Sequence, residues 1–355
     1  MQFLSRIYED KHMQEFKIGP NEAGQRLDKF LHKYLKEAGS GFLFKMLRKK
    51  NITLNKKKAD GKEMLQTGDL VQFFFSDETF EKFRGASIGN SSGDKGDKHT
   101  KDDKVFSQYQ KAYETLKNIE IIYENQHVLF LNKPAGILSQ KSAPTDLSVN
   151  EWLIGYLLAT KALTAEQMET YKPSICNRLD RNTSGLIICG KSFLGSQQMN
   201  KLIKDRKVKK YYRTFVKGEV SKAEHIKGYL RKDESTNIVT LKETIKETEK
   251  EQYAAIETAY EPISHKRDYT YLEVELITGK THQIRAHLSS IGHPLLGDGK
   301  YGDRNWNQKY KAMQIPNWQL LHSYRIEFPE MDGELADLSE KSFVAWEPAI
   351  YEKLK

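Results

Sequence analysis

Apolar positions fall into two patterned regions, separated by a stretch with almost none. Leu27, Phe30, Leu31, Tyr34, Leu35 and Ala38 recur at helical spacing, so Gln25–Ala38 is expected to be one amphipathic helix. Gly39 and Gly41 end it. Phe42–Lys50 reads as a second short helix, with Leu43, Met46 and Leu47 inward and its basic residues outward. Ile52–Leu54 and Val71–Phe75 read as strands, the latter behind the turn signal Thr67-Gly68-Asp69. Two helices and a hairpin with one basic edge make a compact α+β module over residues 14–76.

Gly85–Lys104 is glycine, serine, lysine and aspartate with little to bury, and residues 77–118 as a whole are expected to form a flexible linker. From Ile119 the chain is globular again. Ile119–Tyr123, Val128–Leu131, Leu186–Cys189, Tyr212–Val216, Tyr271–Leu276 and Tyr324–Phe328 are strand-like. Val149–Leu158, Leu194–Ile203 and His282–Ser289 are helical in pattern. Strands dominate without regular βαβ alternation, so residues 119–355 are expected to form a mixed α+β domain.

At 355 residues the chain is long enough for two domains with real cores. No apolar run approaches the length of a membrane span, and Met1–Phe16 carries charges where a secretory signal would need an apolar stretch. Cys176 and Cys189 are too few to staple a chain this size and lie in no CxxC pair. These facts point to a soluble cytoplasmic protein and away from a disulfide scaffold, a zinc ribbon or a membrane protein. The net charge of +9 is uneven. Residues 1–76 hold 15 Lys and Arg against 9 Asp and Glu, residues 77–118 hold 8 of each, and residues 119–355 hold 34 against 31. Basic residues concentrate at Lys45–Lys62, which includes Lys45, Arg48 and Lys49, and at Lys201–Arg213, which includes Lys210. Such clusters suit a polyanion, because neutralised phosphates release counterions, or they are simply solvated faces.

Four segments put polar residues where a core strand or tight turn would not want them. Asn177-Arg178-Leu179-Asp180-Arg181-Asn182-Thr183-Ser184-Gly185 precedes an apolar strand. An aspartate between two arginines there is either a reactive carboxylate held in one rotamer or one half of an ordinary salt bridge in a turn. In Thr278-Gly279-Lys280-Thr281-His282-Gln283-Ile284-Arg285-Ala286-His287, Gly279 permits a tight turn and Thr281 is placed to cap the helix. Arg285 and His282 then project from one face. Lys210-Tyr211-Tyr212 opens a strand, and Asn132-Lys133-Pro134-Ala135-Gly136 follows one. A zinc site is not expected, since His282 and His287 are five apart and so fall on different helix faces. Gly297–Gly302 lacks the spacing of a nucleotide loop and reads as a plain turn.

Taken together, these segments resemble the RluA-type family of pseudouridine synthases. The resemblance rests on Arg178-Leu179-Asp180 with Thr183-Ser184-Gly185, on Thr278–His287, on Gly292-His293-Pro294-Leu295-Leu296-Gly297-Asp298, and on Lys133–Gly136 and Lys210-Tyr211-Tyr212 with Gly218, all in the family's order. Residues 14–76, with Arg26-Leu27-Asp28 opening the first helix and Gly68-Asp69 near the end, are similar to the S4 RNA-binding domain. Asn177 departs from the family's usual histidine before Arg178.

The resemblance implies a mainly antiparallel mixed sheet in the catalytic domain and isomerisation of uridine to pseudouridine in structured RNA, above all large-subunit ribosomal RNA. It implies no cofactor, no metal and a monomer. Asp180 matches the essential aspartate, which attacks the base, attacks the sugar or removes a ribose proton. Tyr212 matches a tyrosine that stacks on the base and helps remove the C5 proton, and Arg285 an arginine paired with the aspartate. Arg178, Arg26, Lys45, Arg48, Lys49, Lys210 and His282 are the expected RNA contacts, with Arg178 filling the hole left by an extruded base or holding a phosphate. The rival reading is a non-catalytic RNA-binding or ribosome-assembly protein, which would have no use for aspartate, tyrosine and arginine together.

Overall fold

The computed structural model describes residues 13–84, 99–236 and 238–355. The charged N-terminal segment up to residue 12 and the glycine- and serine-rich part of the expected linker, 85–98, lie outside the described residues.

The first unit is built as its apolar spacing requires. Helices α1 (Leu27–Tyr34) and α2 (Ser40–Arg48) bury Leu27, Phe30, Leu31, Leu43 and Leu47 against a four-stranded sheet. That sheet has the order β1 (Met13–Lys17), β4 (Leu70–Phe74), β2 (Ile52–Leu54), β3 (Lys57–Lys58). Val71 and Phe73 of β4 face the helices. β1 was not expected, because MQEFK is largely exposed and its place comes from pairing with β4. Helix α3 (Asp77–Arg84) buries Phe80 in the same core, and α4 (His99–Thr115) buries Tyr109 and Ala112 in the next one. The ends of the expected 77–118 linker are therefore helices, each anchored by a few apolar side chains in an otherwise polar stretch.

Residues from 120 onward form an eleven-stranded sheet. Its members are β5 (Glu120–Glu124), β6 (Val128–Lys133), β7 (Ser174–Ile175), β8 (Ser184–Gly190), β9 (Lys209–Lys217), β10 (Glu224–Asp233), β11 (Ile238–Lys242), β12 (Ala254–Lys266), β13 (Tyr269–Leu276), β14 (Leu321–Glu327) and β15 (Ser342–Val344). The main path runs β11-β10-β12-β13-β9-β14-β8-β6-β5, with β15 beside β14 and β7 beside β8. β14 and β8 pair in parallel, and the other described pairs are antiparallel. The central strands are apolar on both faces because both are covered. Leu129, Leu131, Ile187 and Cys189 face one core with helix α5 (Val149–Ala159). Val128, Phe130, Leu186 and Ile188 face the other. Helices α6 (Ala165–Thr170), α7 (Phe193–Lys204), α8 (Gln283–Ser290), α9 (Arg304–Lys309) and α10 (Ala349–Leu354) complete the chain. Among the described residues, no helix is long and apolar enough to cross a membrane.

The two units touch through specific groups. Buried Glu22 accepts the Thr170 hydroxyl at 2.8 Å, and Phe193 N–H donates to the Asn21 carbonyl at 3.2 Å. Arg84 pairs with Glu169 at 2.8 Å, and Lys33 lies 4.8 Å from the centre of the Phe193 ring.

Candidate active site

Asp180 sits four residues before β8, in a loop held by the segment that follows β6. The Ser139 hydroxyl donates to Leu179 O at 2.7 Å and accepts Leu179 N–H at 3.0 Å. Gly136 N–H donates to Arg181 O at 2.9 Å, and Arg181 Nε donates back to Gly136 O at 3.0 Å. Beneath the loop lies Lys133, fully buried, whose Nζ donates to Pro134 O at 2.9 Å and to Ile137 O and Arg181 O at 3.0 Å. Three carbonyls match the three hydrogens of an ammonium. Burial pulls this lysine down to about 7, with the nearby Asp180 opposing. Beyond Asp180, Gly185 has φ +106°, and a Cβ there would lie 2.2 Å from Ser323 O. Glycine at this position is what lets β8 pair in parallel with β14.

The cation on Asp180 comes from elsewhere in the chain. Arg285, on α8, donates from Nη1 to Asp180 Oδ2 at 2.9 Å. Its other edge is gripped by Asp298, with Nε to Oδ2 at 2.7 Å and Nη2 to Oδ1 at 2.9 Å. Arg285 and Asp298 are buried, while the Asp180 side chain keeps 29% of its exposure. Burial alone would raise the Asp298 carboxyl, but the Arg285 fork and the amides of Tyr301 and Lys300 outweigh it and hold the group below the usual value. Burial alone would likewise lower the Arg285 guanidinium, and the hydrogen bond and charge of Asp298, then Asp180, turn the net shift upward. Asp298 thus fixes the arginine, and the arginine presents one N–H to the more open carboxylate.

His282 also reaches this carboxylate, with Nε2 3.7 Å from Asp180 Oδ2. Its φ is +53°, and it occupies the N-cap of α8. Thr281 is therefore not the cap. The turn is closed instead by Thr278 Oγ1 donating to Gln283 Oε1 at 2.8 Å and by Gln283 Nε2 donating to Glu257 O and Thr258 Oγ1 at 3.0 Å. His282 Nδ1 lies 2.9 Å from the Tyr301 hydroxyl, which accepts the Val239 N–H at 3.0 Å. When the Tyr301 hydroxyl donates to Nδ1, neutral His282 carries its proton on Nε2, facing Asp180. Burial shifts this histidine down and so favours the neutral form, with Asp180 opposing.

Tyr212 is buried on β9 between Val274 of β13 and Ser323 of β14. It lines a cleft of about 60 Å³ with Arg178, Asp180, Lys280, His282 and Arg285. Burial pushes its phenol up to about 12; a bond with Ser323 opposes this and the charge of Asp180 adds to it.

Several residues differ from what the sequence suggests. Arg178 is exposed at the cleft and Arg181 bonds Gly136, so neither flanking arginine makes the salt bridge that the local turn pattern allows; Arg285 makes it, as the resemblance implies. Arg213 leaves the basic cluster: it pairs with Glu273 at 2.6 Å and lies 4.4 Å from the centre of the Tyr324 ring. Arg26 is partly neutralised by Asp28 at 2.8 Å. Lys45 and Arg48 are exposed on α2 and Lys49 at its C-terminal cap, none of them lining the Asp180 cleft, and Lys210 is half-buried, with burial and Arg206 lowering its pKa. Asn177 accepts Ile188 N–H at 2.7 Å and donates to Leu186 O, tying the loop to β8. Asp298, Tyr301 and Lys133 are the residues whose roles were missed. A buried-ion partner so far along the chain leaves no local signal, although Asp298 and Lys133 both lie in segments that stand out. Among the described residues, no cluster of His, Cys, Asp or Glu could hold a metal ion.

Comparison with known proteins gives this geometry its class. Residues 127–290, which contain Asp180, Tyr212 and Arg285, match the family model described as RNA pseudouridylate synthase, and the enzyme is an RNA pseudouridine synthase, an isomerase. A ribosomal large subunit pseudouridine synthase C of Vibrio vulnificus is 29% identical over 88% of this chain and 87% of its own. An uncharacterized RNA pseudouridine synthase of Mycoplasma genitalium is 28% identical over 90% of each chain. The structure of human RNA pseudouridylate synthase domain containing 4 overlays with a TM-score of 0.53 at 20% identity, covering 70% of this chain and 95% of that one, and shows the same fold. Over most of its length the chain thus resembles the RluA-type family of pseudouridine synthases.

Proposed function

We propose that the enzyme converts specific uridines of large-subunit ribosomal RNA to pseudouridine, with Asp180 as the catalytic group. The observation that carries the reading is the asymmetric arginine: buried Arg285 is clamped by Asp298 on one edge and offers the other to a carboxylate that remains open to a cleft. A structural ion pair has no need to leave one partner accessible beside a buried tyrosine. The ribosomal substrate is supported by relatives named as ribosomal large subunit pseudouridine synthases.

In this reading the target nucleotide is extruded into the cleft and its base stacks on Tyr212. Asp180, oriented by Arg285 and faced by Nε2 of His282, reacts with the nucleotide so that the glycosidic bond breaks, and the base turns and rejoins the ribose through C5. Tyr212 is held as the neutral phenol near pH 7, which suits it to stack on the base; it takes the C5 proton only by handing its own phenolic proton on in the same step. Arg178, at the open side of the cleft, meets the RNA where the base has left. Residues 14–76 act as an S4-like RNA-binding unit whose exposed Lys45, Arg48 and Lys49 contact phosphates. Asp180→Asn tests the assignment on an unmodified large-subunit transcript: pseudouridine formation should vanish while RNA affinity persists. Near-normal conversion by this variant refutes the role of Asp180. Conversion by the wild type of other structured RNA but not of this transcript refutes the ribosomal substrate alone.

A further inference from the structure

The chain contains four tryptophans. Trp152 and Trp306 are core residues, 5% and 2% exposed. The other two, Trp318 at 36% and Trp346 at 77%, both line one cleft of about 290 Å³. Trp346 is the most exposed large apolar side chain among the described residues. Its backbone is nonetheless fixed, because Trp346 O accepts Asn132 Nδ2 at 3.1 Å and the preceding Ala345 N–H donates to Tyr324 O at 2.9 Å. Trp318 is followed by Gln319, whose amide donates to Thr183 Oγ1 at 3.3 Å, and by Leu320, whose N–H donates to Leu296 O at 2.9 Å. Two rings are thus held ready by ordered main chain, with no described hydrogen bond from either indole N–H.

The place of this cleft names its occupant. Asn182 and Ser184 of the loop after Asp180 line it, whereas Asp180 and Thr183 of the same loop line the catalytic cleft. Lys133-Pro134-Ala135, which supports that loop from below, lines it as well. The loop is a wall shared by two cavities. A nucleotide in the first cavity is separated from the second by this one loop. The charged groups here do not suit phosphate: Glu120 and Glu347 lie on the wall, and the Lys133 ammonium faces its three carbonyls instead. What fits two exposed indoles and a few neutral amides is a base, which every nucleotide offers as a flat π-face.

We propose that the Trp318–Trp346 cleft is a second nucleobase site, which stacks an unpaired nucleotide flanking the extruded uridine and so holds the RNA in register with Asp180. The proposal rests on the RNA substrate reading above. It makes Trp346 and Trp318 binding residues with no part in the chemistry.

The test uses the full chain and two probes, a single-stranded oligouridylate of about ten nucleotides and the unmodified large-subunit transcript. Oligouridylate should quench and shift the tryptophan emission of the wild type, since only the two cleft indoles are exposed. Trp346→Leu should weaken binding of both probes by roughly 5- to 100-fold, the range for one lost base stack. Trp346→Phe should recover most of that loss, because it restores a ring. On the transcript the loss should fall in KM, with kcat and the slope of affinity against salt unchanged, which a disturbed fold or a lost phosphate contact would not give. Binding of both probes within twofold of wild type by Trp318→Leu/Trp346→Leu overturns the proposal. So does a Trp346→Phe variant as weak as Trp346→Leu. If wild type ignores the transcript while oligouridylate still quenches emission through Trp346, the ribosomal reading fails and the base site stands.

Discussion

Asp298→Asn isolates the clamp behind the catalytic carboxylate. The substitution keeps the size of the side chain but removes its charge and one of its two acceptor oxygens. Arg285 then stays buried with its Nε and Nη2 hydrogens poorly matched, where the native fork makes bonds of 2.7 and 2.9 Å. Removing one partner of a buried pair costs about 3–5 kcal/mol, because the remaining charge is uncompensated. Arg285 retains Asp180, so the lower end, about 3 kcal/mol, is the expected loss in a denaturant titration. Freed on one edge, the guanidinium tilts toward Asp180 and drags its carboxylate off line, and misplacement on the scale of an ångström costs on the order of 10²-fold in kcat.

Asp180→Asn should behave oppositely, losing activity with less than about 1 kcal/mol of stability, because its side chain is partly exposed and Arg285 keeps the Asp298 fork. The pH dependence adds a check. Asp298 is shifted below its ordinary 3.8, so its contribution is present at neutral pH, starts to fall as pH approaches that value, and is lost through the lower native pKa. The stability gap between wild type and Asp298→Asn should shrink over that acidic window and nowhere above pH 5. An Asp298→Asn enzyme as stable as wild type, or one that is unstable but fully active per folded molecule, would refute the idea that Asp298 positions Arg285.

Two further outcomes are expected. Lys133→Met leaves the carbonyls of Pro134, Ile137 and Arg181 without their donor, at about 1–3 kcal/mol for each that stays dry, so the melting temperature and kcat should fall together. Because burial brings this lysine to about 7, the native state releases its proton before the unfolded chain does, and wild type should gain on Lys133→Met as pH rises from 7 toward 10.5. Replacing Lys45, Arg48 and Lys49 together by alanine should lower RNA affinity and flatten its dependence on log salt by about 3, with kcat at saturating RNA unchanged.

The sequence determined what depends on near neighbours. The stripe from Leu27 to Leu35 builds α1, the apolar runs at Val128–Leu131 and Leu186–Cys189 become central strands, and the motifs around Asp180, Tyr212 and Arg285 meet at one cleft. Elements at the edge were harder to see. β10, β11 and β12 face solvent on one side, and their inner faces mix Gly228 and Thr258 with Leu230, Val239 and Ile256, so the alternation seen in burial is weak in the sequence, and backbone partners complete the strands. The ends of the polar stretch around residue 90 were read as linker, since one Phe80 or Tyr109 is enough to dock a short helix but too little to make a pattern. From the local pattern alone the cation serving Asp180 could not be read: Arg178 and Arg181 stand beside it in the chain, yet the ion pair is made by Arg285, 105 residues on, the partner that the family resemblance implies. The same holds for Asp298 behind that arginine, Lys133 under the loop and the two tryptophans in one cleft. Each role comes from a meeting of distant segments, and distance along the chain carries no information about such meetings until the sheet has closed.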